Sequence, residues 1–119
     1  MMQIVAASLL NEAKVLAHPS SIDNIPTDGG KEDHVSMGMT GAVKLRKIVE
    51  LAEYIMAIEL ICAAEGLEYR KPLRPGRGVE AAYGTVRQYV VQLTADRSMS
   101  DDIQLITSAI QQSEFDSLL

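Results

Sequence analysis

Four ionisable side chains crowd one short stretch of the sequence: Asp28, Glu32, Asp33 and His34, in the run Thr27-Asp28-Gly29-Gly30-Lys31-Glu32-Asp33-His34. A metal centre needs about three ligands converging on one point, and the sequence has neither His pairs at i,i+4 helical spacing nor Cys/His pairs, so no metal is expected. A hydrolase reading fails in the same way. Ser36 lies close to His34, but no nucleophile-elbow glycine pattern surrounds it, and proximity in sequence does not make a triad. The plainest reading has Glu32 and Asp33 stabilising a helix start, where exposed amides carry partial positive charge, with His34 as a surface or packed histidine. The other candidates are weaker. Arg70, Lys71, Arg74 and Arg77 form the one basic cluster, able to meet a phosphate or an anionic partner but readable first as a solvated, Pro/Gly-punctuated connector. Cys62 has no neighbouring base in sequence and reads as an inert buried thiol. His18, before Pro19, has no evident chemical partner.

The elements that must hold these residues are helices. Met1 to Leu16 carries strong helix formers with Ile4, Val5, Leu9, Leu10 and Val15, but no capping residue precedes it. Residues 17–31 hold two prolines, two glycines and several Ser, Asp and Asn, which stop any periodic pattern, while Ile22 and Ile25 anchor the loop. From Thr40 to Leu67 there is no proline, and no glycine between Gly41 and Gly66. This predicts one long helix, placed at 34–66. Its first half is amphipathic, with Arg46 and Glu50 spaced to pair. Its second, Tyr54 to Ala64, is apolar on nearly every face and calls for surrounding protein. Val79, Tyr83, Val86, Val90 and Leu93 mark a helix at 78–94. Ser100-Asp101-Asp102, a hydroxyl cap with acids in the first turn, opens another at 101–115 with Ile103, Ile106 and Ile110 as its buried stripe. The fold class is therefore all-α: a long central helix with flanking antiparallel helices, in a single unit spanning 1–119.

Composition excludes several classes of partner. The chain has 119 residues, 11 Lys+Arg against 16 Asp+Glu, a formal charge of −5, and 47% hydrophobic but only 4% aromatic residues. Nucleic acid is disfavoured by the charge and by the lack of stacking platforms. No uncharged run reaches the roughly 18 residues of a membrane span, no leader pattern opens the chain, and one cysteine allows no internal disulfide; a cytoplasmic location is expected. One quantity does not fit an ordinary small domain. A helix of about 25 residues is about 38 Å long. A compact chain of this size has a radius of gyration of only about 13–14 Å.

The string Ala17 to Gly38, AHPSSIDNIPTDGGKEDHVSMG, resembles the histidine ammonia-lyases, in whose C-terminal third a loop of the form AxPxSxDxIPTS leads into QEDHVSMG. The resemblance continues upstream through VAASLLNEAKVL and downstream through VKLRKIVELAEYIMAIELICAAEGLEYR and PLRPGRGVEAAYGTVRQYV, covering about Gln3 to Asp102. The related phenylalanine and tyrosine lyases carry an amide residue where Glu32 stands.

This resemblance implies one part of an ammonia-lyase-type helical bundle, assembled in the family as a homotetramer with composite active sites. It implies a carbon-nitrogen lyase converting L-histidine to urocanate and ammonia, with this chain as a C-terminal portion inactive alone. It also implies a methylidene-imidazolone electrophile, made from an Ala-Ser-Gly tripeptide. Here Ala7-Ser8 is followed by Leu9, so that group is expected in an N-terminal portion, together with the family's tyrosine base. Of the family's site residues, Glu32 matches the active-site glutamate. A carboxylate there can hold an imidazole N–H by a charge-assisted bond and discriminate against a phenyl ring. It could also exchange a proton with the departing amine. Lys31 stands where the family has Gln, and Gly29 and Gly30 replace its Asn/Ser neighbours; Lys31 is thereby a substrate-contact candidate that donates but cannot accept, leaving histidine or another aromatic amino acid as substrate. The alternative is a standalone helical oligomerisation module of lyase ancestry. Self-association is expected in either case, because Tyr54 to Ala64 would otherwise expose an apolar patch.

Overall fold

In the computed structural model the described residues, 1–22 and 24–116, form four α-helices and no strand. These are α1 (Met2–Leu16), α2 (Gly38–Glu68), α3 (Arg77–Tyr89) and α4 (Ser100–Gln111). Asp23, within the predicted loop, and residues 117–119 lie outside the described residues.

α2 contains 31 residues and is therefore about 46 Å long. α1 runs back along its first half. Leu16, Ala17 and His18 share a small crevice with Gly41, Lys44, Leu45 and Ile48, whereas Met2, at the other end of α1, packs on the cluster around Ala57 and Ile61. The seam is legible in the burial pattern. Met2, Ala6, Leu9, Ala13 and Leu16 are half-buried at alternating spacings of four and three, and Ile48, Leu51, Ile55 and Ile58 give the matching row on α2. The second half of α2 packs on α3 and α4. Ala57, Ile61, Ala64, Val86, Val90 and Ile106 form the core there, with Ile61, Val86, Val90 and Ile106 its largest fully buried side chains.

The molecule is a rod. Its radius of gyration is 19.9 Å and its extents are 70 × 31 × 20 Å, against about 13–14 Å for a compact chain of this size. Two covered faces thus leave two bare ones. On α2, Ala42, Leu45, Val49, Ala52 and Met56 follow three- and four-residue spacing on the face opposite the core, with Ala63 seven residues further on, and all are exposed. Leu45 keeps 60% of its surface and Met56 50%. On α1, Ile4, Val5, Leu10 and Val15 are likewise exposed.

Several boundaries differ from the sequence expectation. α2 begins at Gly38 rather than at 34, because Met37 takes a left-handed conformation (φ 50°) immediately before it. α3 ends at Tyr89 rather than 94: Val90 turns extended, and the Leu93 amide donates to the Glu65 carboxylate (3.1 Å) instead of to a helical carbonyl. α4 ends at Gln111 rather than 115. The left-handed Ser113 (φ 60°), the Glu114 N–H donating to Ala109 O (3.1 Å) and the Ser113 N–H donating to Ile110 O (3.0 Å) make a Schellman stop. Ser100 is the first residue of α4 and gives no side-chain cap; Asp102 instead pairs with Arg97. Of the predicted α4 stripe only Ile106 is fully buried, with Ile103 and Ile110 packed at the edge of the core. Glu50 pairs with Lys47 (3.2 Å), not Arg46. Cys62 is exposed, not buried: it continues the row of Ile48, Leu51, Ile55 and Ile58, but at a position past the start of α1.

Candidate functional site

The acidic cluster does not start a helix. The first turn of α2 contains no acidic residue, and Glu32, Asp33 and His34 lie in the irregular segment before it, all exposed. This corrects the helix-start reading. Glu32 instead closes a tight turn. Thr27 and Glu32 form an isolated antiparallel bridge: the Thr27 N–H donates to Glu32 O (2.7 Å) and the Glu32 N–H to Thr27 O (3.2 Å). Between them Asp28, Gly29 and Gly30 have φ of 49°, 63° and 84°, a left-handed run that glycine tolerates at two of its three positions. The Thr27 hydroxyl donates to Glu32 Oε2 (3.1 Å). Lys31 ends the turn with its N–H on Asp28 O (3.3 Å) and its side chain exposed.

A second tie encloses the first. The Val35 N–H donates to Asn24 Oδ1 (2.6 Å), and Asn24 Nδ2 donates to Ser21 O (2.7 Å). The pairs 27/32 and 24/35 are both centred on the Gly29–Gly30 peptide, so the side-chain tie encloses the backbone bridge about the same point. Its first residues are held as well, since Lys44 on α2 donates to the His18 carbonyl. The turn is therefore presented beyond the end of the α1–α2 hairpin, with the Glu32 side chain open to solvent.

A second polar cluster lies toward the other end of α2. Arg87 Nη1 is 2.9 Å from Glu65 Oε1, and Arg87 Nη2 is 3.2 Å from Glu68 Oε1, with side-chain exposures of 14%, 18% and 7% respectively for Arg87, Glu65 and Glu68. The Tyr83 hydroxyl donates to Glu68, and Lys71 Nζ lies 2.6 Å from Glu68 Oε2. The Lys71 ammonium, then the Tyr83 hydroxyl, hold the Glu68 carboxyl below its usual range. Burial opposes the charge on Arg87, but Glu65 and Tyr83 outweigh it and keep the guanidinium above its ordinary value. Arg87 Nε has no hydrogen-bond partner among the described residues. This cluster joins α3 to α2. It lies near the end of α2 remote from the Glu32 turn, about 46 Å of helix away, so within one chain the two do not form one site.

Sequence reasoning singles out Glu32 and Lys31 but misses Thr27, Asn24 and the Arg87 cluster. Asn24 and Thr27 carried a usable signal, their symmetric placement with Val35 and Glu32 about Gly29-Gly30. Arg87, Glu65 and Glu68 carried none, since they meet only when α3 folds back on α2. The basic residues Arg70, Arg74 and Arg77 are exposed. Among the described residues no three His, Cys, Asp or Glu side chains gather as a metal-ligand set, and no helix is long and apolar enough to cross a membrane.

Known proteins share both the sequence and the rod. The histidine ammonia-lyase of Myxococcus xanthus is 44% identical over 112 residues, which are 94% of this chain and 22% of that protein. The crystal structure of histidine ammonia-lyase from Trypanosoma cruzi superposes with a TM-score of 0.91 at 37% identity, over 97% of this chain and 23% of that one. A tyrosine aminomutase from Streptomyces globisporus superposes at 0.90 with 31% identity, over 98% of this chain and 22% of its own. The chain thus spans about a fifth of the length of the relatives it matches. The sequence pattern of the aromatic amino acid lyases matches residues 1–88, through α1, the Glu32 turn, the whole of α2 and most of α3. With so much of the chain and its fold accounted for, this protein belongs to the aromatic amino acid lyase family.

Proposed function

We propose that this chain acts as the C-terminal part of a histidine ammonia-lyase, eliminating ammonia from L-histidine to give urocanate in a site completed by further lyase polypeptide. The observation that carries the reading is the Glu32 carboxylate, set at the closing pair of a braced turn between α1 and α2 in a chain 44% identical to a histidine ammonia-lyase. One oxygen accepts from Thr27. The other is free to accept an imidazole N–H, a charge-assisted bond that a phenyl ring cannot make. Lys31, adjacent on the same turn, is a donor for an anionic group of the substrate.

The residues present do not fit the family's electrophilic group. Ala7-Ser8 runs into Leu9 and lies on α1, not in a loop, so the source of that group is a separate portion of lyase. The bare stripes on α1 and α2 support docking against such a portion and against further copies in a homo-oligomer. They fit a purely structural module equally well, so activity must separate the two readings.

The deciding experiment mixes the chain with the part of Myxococcus xanthus histidine ammonia-lyase outside the matched region and follows urocanate absorbance. Turnover is expected only with both parts present. Glu32→Gln is expected to lower kcat/KM for L-histidine by about a hundredfold or more. Full turnover by that variant would remove the assigned role, and no turnover by the unaltered mixture would favour the structural module.

A further inference from the structure

We infer that Thr27 is the positioning residue for the Glu32 carboxylate; the inference rests on the role proposed above for Glu32. Three hydrogen bonds join the two residues, and they do different things. The reciprocal backbone pair, 2.7 and 3.2 Å, fixes where the Glu32 backbone stands. In an antiparallel bridge, directly opposed residues project to the same face, so their side chains meet. The third bond, Thr27 Oγ1 to Glu32 Oε2 at 3.1 Å, then fixes the carboxylate. An exposed glutamate otherwise samples many rotamers, and ordering it costs about 1–2 kcal/mol of side-chain entropy. Thr27 meets part of that cost before substrate arrives. Its branched Cβ leaves few χ1 choices, so the hydroxyl is itself held in place.

The surroundings support the assignment. Among the described residues, Glu32 is the one member of the group Asp28, Lys31, Glu32, Asp33 and His34 whose side chain has a hydrogen-bond partner. The tie between the Val35 N–H and Asn24 Oδ1 (2.6 Å) encloses the bridge in which Thr27 faces Glu32. The left-handed backbone at Asp28, Gly29 and Gly30 closes the turn without demanding anything of the Thr27 side chain, which leaves its hydroxyl available to Glu32.

Two measurements test this. In the 119-residue chain alone, the 13C signal of the Glu32 carboxyl is recorded for the unaltered protein, Thr27→Val and Thr27→Ser. Valine keeps the shape and removes the donor, so the signal is expected to move to that of a free glutamate, while serine restores it; no movement in Thr27→Val overturns the inference. In the complemented mixture, Thr27→Val is expected to raise KM for L-histidine about tenfold with a smaller change in kcat. Added to Glu32→Gln, it is expected to cause no further loss, since residues acting through one another are not additive. Full additivity would make Thr27 merely structural and overturn the inference. If Glu32→Gln keeps full turnover while Thr27→Val still moves the carboxyl signal, the substrate role of Glu32 falls and the positioning of Glu32 by Thr27 stands.

Discussion

Glu32 and Glu68 are both carboxylates beside a hydroxyl, yet the structure gives them different work. Glu32 has one donor and an open face, an arrangement suited to binding. Glu68 is enclosed by Lys71, Tyr83 and Arg87, an arrangement suited to holding helices together. Lys71 first, then Tyr83, depress the Glu68 carboxyl below 4.5, so the folded state favours its ionised form. That contribution to stability is complete above about pH 4.5, the unfolded value, and is lost as pH falls through the lower folded value. Acid titration followed by circular dichroism should show an unfolding limb below that pH, flattened in Glu68→Gln. Removing the shared cation has a larger effect: Arg87→Met leaves Glu65 and Glu68 facing each other. The expected cost is about 2 kcal/mol in urea denaturation, less than for a fully enclosed pair because the side chains retain some solvent.

Among the elements, α2 decides the architecture, because its two apolar faces have different fates. The inner face carries Ile61, 1% exposed, in the cluster with Val86 and Ile106. Ile61→Ala opens a cavity there and is expected to cost about 2–5 kcal/mol by denaturant melting. The outer face carries Val49 and Met56, 47% and 50% exposed, where truncation to alanine should fall within about 0.5 kcal/mol in chain diluted to the monomer. Equal effects at Ile61 and Val49 in the monomer would mean that the outer face is covered by the chain itself. The long helix, the loop before it and the two later helices were all legible in sequence, through the proline-free run, the Pro/Gly cluster and the stripes at Val86/Val90 and Ile106. The ends of α3 and α4 were not. Glu65 captures the Leu93 amide and Ser113 adopts a left-handed conformation, and neither event leaves a local sequence mark.

At the scale of the whole molecule, a radius of gyration of 19.9 Å means that the chain buries too little to be a self-contained globule. Its bare faces, α2 along Ala42, Leu45, Val49, Ala52, Met56 and Ala63 and α1 at Ile4, Leu10 and Val15, run along the rod rather than forming one patch. Sedimentation of the isolated chain should therefore give species heavier than the 13.0 kDa monomer, and Val49→Glu with Met56→Glu should shift the population toward monomer without loss of helix content. A monodisperse unaltered monomer would contradict this. Helix propensity and hydrophobic spacing are short-range properties, and so the sequence by itself determined that the chain is helical, that one helix is too long for a compact domain of this size, and that a Pro/Gly loop precedes it; that Glu32 closes a turn instead of starting that helix was decided by the tertiary structure. Which apolar face is covered and whether Cys62 is buried depend on where α1, α3 and α4 stop against α2. Those are distances between residues far apart in the chain, and only the tertiary structure decided them.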